Sequence, residues 1–444
     1  MTATEWLQSK EAVERSKKMY AHFDWRTDIS QQREYITDPE KVTKHGFYPF
    51  IHYEKRTLKY SKKKGRKEKV RDICYAAHID RCIYQYYGFL LNSLYNDRVA
   101  KDGISAVSVA YRTDLHESNI HFSKHAFDFI KAKAPVHVMI GDFTGFFDNL
   151  DHNYLKQQWC SLLGVERLPA DHFAVFKNIT AYSKVELTDL LRSNGLEDTK
   201  SGRKKLNELA RVLTPEQFRE HRSFVQKHKE PFGIPQGSPI SGILANVYML
   251  EVDKQIHEAV CKLGGMYIRY SDDFMIILPD SADVDVVTEI VRISDMVKQA
   301  PRLTLEPNKT QYFHFKNGEL ANCGKSIHAD ADDSSQTINF LGFSFDGHTV
   351  RIRAKTISKY YYRMYRKAKS IAKLGGVTSD GRRITGRNLY MSYSRKGSKT
   401  GHGNFLTYVD RAAAEYGPHE SIKKDTRKHM QKIRRTLRSG ISTH

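Results

Sequence analysis

Residues 267–278 read YIRYSDDFMIIL, and two adjacent carboxylates, Asp272 and Asp273, interrupt what is otherwise a run of buried-strand residues. At an effective dielectric of about 20, two carboxylates roughly 4 Å apart repel by about 4 kcal/mol. Solvent at a turn, a protonated carboxyl or a bound cation relieves such repulsion. Ser-Asp-Asp makes a serviceable hairpin tip, and on this stretch alone a turn is the favoured reading. The rest of the chain decides whether the pair also does chemistry.

A further carboxylate, Asp142, ends the short apolar run PVHVMIGD and is followed by FTGFFDNLDH. Alternation along a strand places Ile268, Tyr270 and Asp272 on one face. With the strand of Asp142 alongside, both carboxylates reach the same space. Such groups can bridge two divalent cations about 4 Å apart, which clamp the attacking and departing oxygens of a phosphoryl transfer. Magnesium suits the role, because it takes oxygen ligands and shares its shell with substrate phosphates.

Charge is informative once located. The formal net charge is +21, yet the last 94 residues hold 24 Lys and Arg against 5 Asp and Glu, so they carry +19 and the first 350 only +2. A basic surface of that density attracts a polyanion, usually nucleic acid, although a solubilising or membrane-surface tail has the same composition. In KYYYRMYRKAK the rings between the charges favour a backbone-tracking surface, since aromatics also stack on bases. The spacing predicts a helix from Thr356 to Lys373 with Tyr360, Met364 and Ala368 on one face, where packing is the simpler role than stacking.

At 444 residues the chain can bury more than one core. Hydrophobic content of 40% and aromatic content of 11% exclude a disordered class. FMIIL and GILANVYML fall short of a membrane span, and charges stand where a signal peptide needs an apolar core. The expectation is a cytoplasmic protein with no membrane partner. Cys74, Cys82, Cys160, Cys261 and Cys323 form no CxxC pair and no metal-ligand spacing with histidine, so they read as reduced thiols.

Along the chain, residues 1–45 read as a polar helix and loop. FYPFIHYEKRTLKY and EKVRDICYA read as two strands around the basic loop SKKKGRKEK. IDRCIYQYYGFLLNSLYNDRV is helical, with Ile79, Ile83, Tyr86, Tyr87, Leu90 and Leu94 on one face, and SNIHFSKHAFDFIKAK is its helical partner. Residues 165–230 read as a charged, mostly helical insertion. GIPQGSPISGILANVYMLEVDKQI is a Gly/Pro loop entering a helix. TLEPNKTQYFHF and QTINFLGFSFDGHTVRIR supply further strands, before a basic helical end.

The order of the FTGFFD-bearing strand, PQGSP, YSDD, NKT and FLGF resembles the palm of reverse transcriptases over roughly residues 45 to 350. It is most similar to the bacterial unknown-group and defence-associated enzymes, related to those of group II introns and retrons. The resemblance implies an α+β right-hand polymerase, with fingers in 1–135, palm in 136–350 and a basic helical thumb in 351–444. It implies catalytic roles for Asp142, Asp272 and Asp273, which with the backbone of Phe143 would hold two Mg2+ ions. Phe147 matches the aromatic plate that rejects a 2′-hydroxyl. Gln236 and Gly237 would meet the incoming nucleotide, Lys69 and Arg71 would grip its triphosphate, and Lys309 would stand near the leaving pyrophosphate. Leu341 and Gly342 match the hairpin under the primer end, and Arg112 a template-side motif.

The implied partners are an RNA template, dNTPs and a DNA product, and the implied biology is anti-phage defence with a structured noncoding RNA. Three features depart from the pattern: the chain ends before a maturase region, the link ahead of PQG is long, and the chain is longer than a typical retron polymerase. Alternatives are a retron-type or group II intron-like enzyme of another role, an RNA-dependent RNA polymerase, or a catalytically silent RNA-binding scaffold. The last is disfavoured physically, because carboxylates facing a polyanion repel it unless a cation intervenes.

Overall fold

Short apolar and β-branched runs set the strands, and the computed structural model describes residues 1–61, 65–306, 309–327, 331, 333–373, 375–377, 381–383 and 385–439. Residues 62–64 of the basic loop and Asn308 of NKT lie outside the described residues. In chain order the strands are β1 Phe50–Glu54, β2 Thr57–Ser61, β3 Gly65–Lys69, β4 Asp72–Tyr75, β5 Val136–Asp142, β6 Ser183–Glu186 and β7 Gln226–Lys227. There follow β8 Met266–Tyr270, β9 Asp273–Pro279, β10 Gln311–Lys316, β11 Glu319–Asn322, β12 Ile338–Phe340, β13 Phe343–Phe345 and β14 Val350–Ile352. With helices between them, the chain is of the α+β class, as expected.

The chain divides into two compact units, each discontinuous in sequence. The first comprises Met1–Asp114, Phe143–Glu258 and Ser294–Leu305; the second comprises Leu115–Asp142, Ala259–Ile293 and Glu306–His444.

In the first unit a four-stranded sheet has the order β4-β1-β6-β7. Each of the two long strands expected around the basic loop breaks in two. The break falls at Lys55 and Arg71, whose backbones exchange hydrogen bonds of 2.8 and 3.2 Å, and beyond it β2 and β3 pair with each other. The stretch 165–230 is not merely a helical insertion. Its β6 pairs in parallel with β1, β7 pairs with β6, and Val185, Leu190, Leu191, Leu206 and Val212 share a core with Phe23 and Ile51. In SKVE only Val185 signals burial, which is why the strand escapes a periodicity reading. Residues 1–45 form four short helices, Ala3–Gln8, Lys10–Ser16, Ile29–Ile36 and Pro39–Thr43, capped by the side chains of Thr2, Ser9, Asp28 and Asp38. The helix His78–Lys101 forms as expected, but its buried face is rotated: Leu91 and Tyr95 are buried while Leu94 is exposed.

The second unit holds an antiparallel five-stranded sheet, order β11-β10-β5-β9-β8. Its centre is β5, in which Val136, Val138, Met139 and Ile140 are all buried. Gly141 stands opposite Phe274 on β9, and a β-carbon at 141 would lie 2.2 Å from that ring. Glycine therefore leaves room for the tip of the ring against the strand just before Asp142. A three-stranded sheet, β12-β13-β14, leads into the helix Ala354–Lys373. That helix buries Ile357, Tyr360, Tyr361, Met364 and Ala368, so the stripe expected at this spacing is packing, while Tyr362 stays exposed. Among the described residues no helix is long and apolar enough to cross a membrane.

Gly141→Ala is expected to destabilise the chain by roughly 1–3 kcal/mol, because Phe274 must leave its place. Chemical denaturation of the variant against the parent measures this.

Candidate active site

Strands β5 and β9 run antiparallel with Asp142 directly opposite Asp273. Directly opposed residues project to the same face of a sheet. Strand β8 ends at Tyr270, which pairs with Asp273, so Ser271 and Asp272 form a two-residue hairpin loop. The alternation that placed Asp272 on the strand with Ile268 and Tyr270 is thus corrected: Asp272 occupies the turn, and the hairpin tip and the carboxylate cluster are one feature. Ser271 adopts the left-handed conformation at φ +61°, and its carbonyl accepts a 3.0 Å hydrogen bond from Nη1 of the fully buried Arg269.

The electrostatics follow from this crowding. Asp273 is exposed by surface area, yet its carboxyl sits among neighbouring atoms. Desolvation, then the charge of Asp272, then that of Asp142 push it up to about 7, against an opposing pull from Arg353. Lys309 Nζ lies 2.5 Å from Asp142 Oδ1 and 4.0 Å from Glu306 Oε2. The cluster is therefore three carboxylates balanced by Lys309 and Arg353.

In the same unit Leu341 and Gly342 form the turn between β12 and β13, at φ +46° and +95°. Positive φ at both central residues is the tight hairpin geometry, and leucine adopts it only under constraint. Asn119 supplies the constraint: Nδ2 donates to the Leu341 carbonyl at 2.8 Å and to the Tyr408 hydroxyl at 3.0 Å. The Gly342 carbonyl accepts from the Arg353 amide at 2.9 Å. Arg353 thus joins this turn to the electrostatics of Asp273.

The remaining candidates lie in the first unit. Gly145, at φ +53°, opens a 3-10 turn over Phe146–Asn149. The Phe146–Phe147 pair splits its roles: Phe146 is buried and stacks on the buried Phe143, while Phe147 keeps a half-exposed ring edge-on to Phe146. An ordinary core role therefore fits Phe146 and not Phe147. Gln236 Nε2 donates to both oxygens of Asp148 at 3.1 and 3.3 Å, and its carbonyl accepts from the Cys74 amide. Gly237 has φ +113°, and a β-carbon there would lie 2.5 Å from the Cys74 carbonyl. The PQG loop is therefore docked on the backbone of β4, three residues beyond Arg71. Lys69 closes β3 half-buried, and Arg71 is exposed at the strand break.

Arg112 does not sit as a template-side contact would require. It is buried, and its guanidinium is occupied by Asp114 at 2.6 and 3.3 Å and by the Ser105 carbonyl at 2.6 Å. It braces the loop instead. Its neighbour Tyr111 is exposed at φ +63°, and a β-carbon on Gly242 would touch its ring at 2.7 Å. Sequence reasoning also missed Arg269, Asp148, Asn119 and Arg353. Asp148 ends FTGFFD and Arg269 lies just before YSDD, so both could have been nominated by place, whereas Asn119 and Arg353 lie outside the quoted motifs.

All-oxygen donors that repel one another, with Asp142 and Asp273 on one face and Asp272 in the adjoining turn, fit a hard divalent cation. In metal-free protein the folded state binds a proton at Asp273 more tightly than the unfolded chain, where aspartate titrates near 3.9. This group's contribution to stability is therefore present at low pH and lost as pH rises from about 4 through about 7. The melting temperature of chelator-treated protein is expected to fall between about pH 5 and about pH 8. Asp273→Asn should flatten that dependence in differential scanning calorimetry.

The family comparison agrees with the motif order. The chain matches the family described as reverse transcriptase (RNA-dependent DNA polymerase) over residues 61–345. Among solved structures it is similar to apo telomerase from Candida tropicalis truncated from its C-terminal domain, at 14% identity and a TM-score of 0.39, covering 74% of this chain and 61% of that one. It is similar also to telomerase from Candida albicans in complex with a TWJ fragment of telomeric RNA, at 13% identity and a TM-score of 0.39, covering 94% of this chain and 66% of that one. The chain thus spans less than two thirds of either telomerase chain. Among curated proteins none matches. With the matched region covering more than half its length, the chain belongs to the reverse transcriptase (RNA-dependent DNA polymerase) family.

Proposed function

We propose that this chain polymerises DNA on an RNA template, with Asp142, Asp272 and Asp273 as its metal-binding carboxylates. The observation that carries the reading is the register of β5 on β9, which sets Asp142 opposite Asp273 with Asp272 in the adjoining turn. Bound there, two magnesium ions supply the charge neutralisation that phosphoryl transfer requires. Lys309, which bonds Asp142, holds a proton for the leaving pyrophosphate. Phe147 lies under the sugar of the incoming nucleotide, Gln236 is oriented by Asp148 to meet that nucleotide, and the Phe143 backbone faces its phosphates. Lys69 and Arg71 grip the triphosphate, and the Leu341–Gly342 turn carries the primer end.

The functional division is fingers to residue 135, palm from 136 to 350 and thumb from 351. The basic last segment tracks the nucleic-acid backbone, with Tyr362 as the exposed ring available for stacking. The motif order supports a defence-associated subclass that copies a structured noncoding RNA in the cytoplasm of a bacterium. An RNA-dependent RNA polymerase shares the carboxylate geometry, and the half-exposed ring of Phe147 favours deoxynucleotides over that reading.

With an RNA template, primer, dNTPs and magnesium, the purified protein is expected to extend the primer, and the double substitution Asp272→Ala, Asp273→Ala to abolish extension. Persistence of extension in that variant overturns the metal assignment. Phe147→Ala is expected to raise ribonucleotide use relative to deoxynucleotide by on the order of 10-fold. Competition between NTP and dNTP in the same assay reads that ratio.

A further inference from the structure

A second set of ligating side chains lies on the same sheet, at the end of β5 away from Asp142. His137 on β5 is the direct cross-strand partner of His314 on β10. Their rings stack with centroids 4.3 Å apart and planes inclined by 20°. Asp280, the residue after β9, completes the group. Its Oδ2 lies 3.0 Å from His314 Nε2, and its Oδ1 lies 3.5 Å from His137 Nε2. One ligand atom from each residue falls within 4.8 Å of the others. Nδ1 of His137 is buried without a hydrogen-bond partner, so Nε2 is the nitrogen open to a ligand.

We propose that His137, Asp280 and His314 bind a borderline divalent transition-metal cation, with zinc as the representative ion, and that this ion fastens β10, β5 and the end of β9 together. Bonds of about 2.0–2.1 Å in tetrahedral array put neighbouring donor atoms roughly 3.4 Å apart. The two nitrogen–oxygen separations, which run to different oxygens of Asp280, lie on either side of that value. The stacked rings aim their in-plane lone pairs along nearly parallel lines, so holding one ion requires an imidazole to rotate out of the stack. His314 and Asp280 keep part of their side-chain surface open, which permits that change and leaves a fourth position for water. Imidazole nitrogen selects zinc, copper or nickel over magnesium, so this site differs in kind from the all-oxygen carboxylate cluster.

The site differs in place as well. His137 and Asp142 are five residues apart on one strand, about 17 Å at the usual rise of about 3.3 Å per residue. The ligands come from adjoining strands and are already held by backbone pairing; the Asp280 amide donates to the Pro135 carbonyl at 2.9 Å. Asp285 adds negative charge that acts on His137, while its own oxygens cap the following helix through Val287 and Thr288. It therefore favours a cation without being needed as a ligand. The competing account is a metal-free clamp, in which both imidazole N–H groups donate to Asp280.

The two accounts separate in the full chain carrying Asp272→Ala and Asp273→Ala, stripped with chelator and dialysed against zinc chloride. The proposal expects one zinc retained per chain, an X-ray absorption spectrum with outer-shell scattering from two imidazoles, and a higher melting temperature. Adding Asp280→Asn or His314→Gln is expected to remove the bound zinc and the rise in melting temperature, with the circular dichroism spectrum preserved. Failure of the parent to retain zinc, or a spectrum without imidazole scattering, overturns the proposal without recourse to any ligand variant. So does zinc binding that persists unchanged in both added variants. None of these readings depends on polymerase activity, so the proposal and the proposed function fail separately.

Discussion

Mutual repulsion among Asp142, Asp272 and Asp273 is the constraint to which the second unit is fitted. Antiparallel pairing brings Asp142 and Asp273 to one face, and nothing in a β-ladder favours placing like charges opposite one another. The arrangement persists because other forces fix the backbone independently of the charges. Buried apolar residues on β5 and β9 anchor both strands. Gly141 admits the Phe274 ring, and Arg269 holds the turn that carries Asp272 from beneath. Lys309 and Arg353 then offset part of the negative charge from the side. The result is a carboxylate arrangement set by the packing of the strands and not by the charges themselves.

The first unit solves a different problem, the orientation of neutral and cationic groups. Gly237 has no side chain because the Cys74 carbonyl occupies the space one would need. Gln236 can rotate freely in principle, and the Asp148 carboxylate removes that freedom by accepting from its amide. Fixing a rotamer in advance spares the entropy that binding would otherwise lose. Arg112 shows the opposite use of a charged side chain: it is buried and turned inward onto Asp114 and backbone carbonyls.

Much of the carboxylate site was legible in the sequence because its parts sit in short motifs with fixed order. FTGFFD, PQGSP, YSDD and FLGF each keep their chemistry within a few residues. What failed was whatever depended on where a strand stops or on a distant partner. Alternation assigns faces but does not see strand ends, so Asp272 was given a face when it belongs to a turn. Arg112 reads the same in sequence whether solvated or buried. Asn119 acts on Leu341 from over two hundred positions away, and no local pattern marks it. The strand SKVE was invisible because its burial comes from β1 and not from its own composition.

The division into two units has a consequence for how the protein is made. The chain passes between them five times, so neither exists as a continuous stretch. A ribosome releasing this chain from its N-terminus cannot finish the first unit until Leu305 has emerged, nor the second until much later. Long-range strand pairing must wait for its partners while apolar segments such as β5 stand uncovered. Late completion of both units leaves apolar strands without their partners during synthesis, the condition that favours aggregation of a nascent chain.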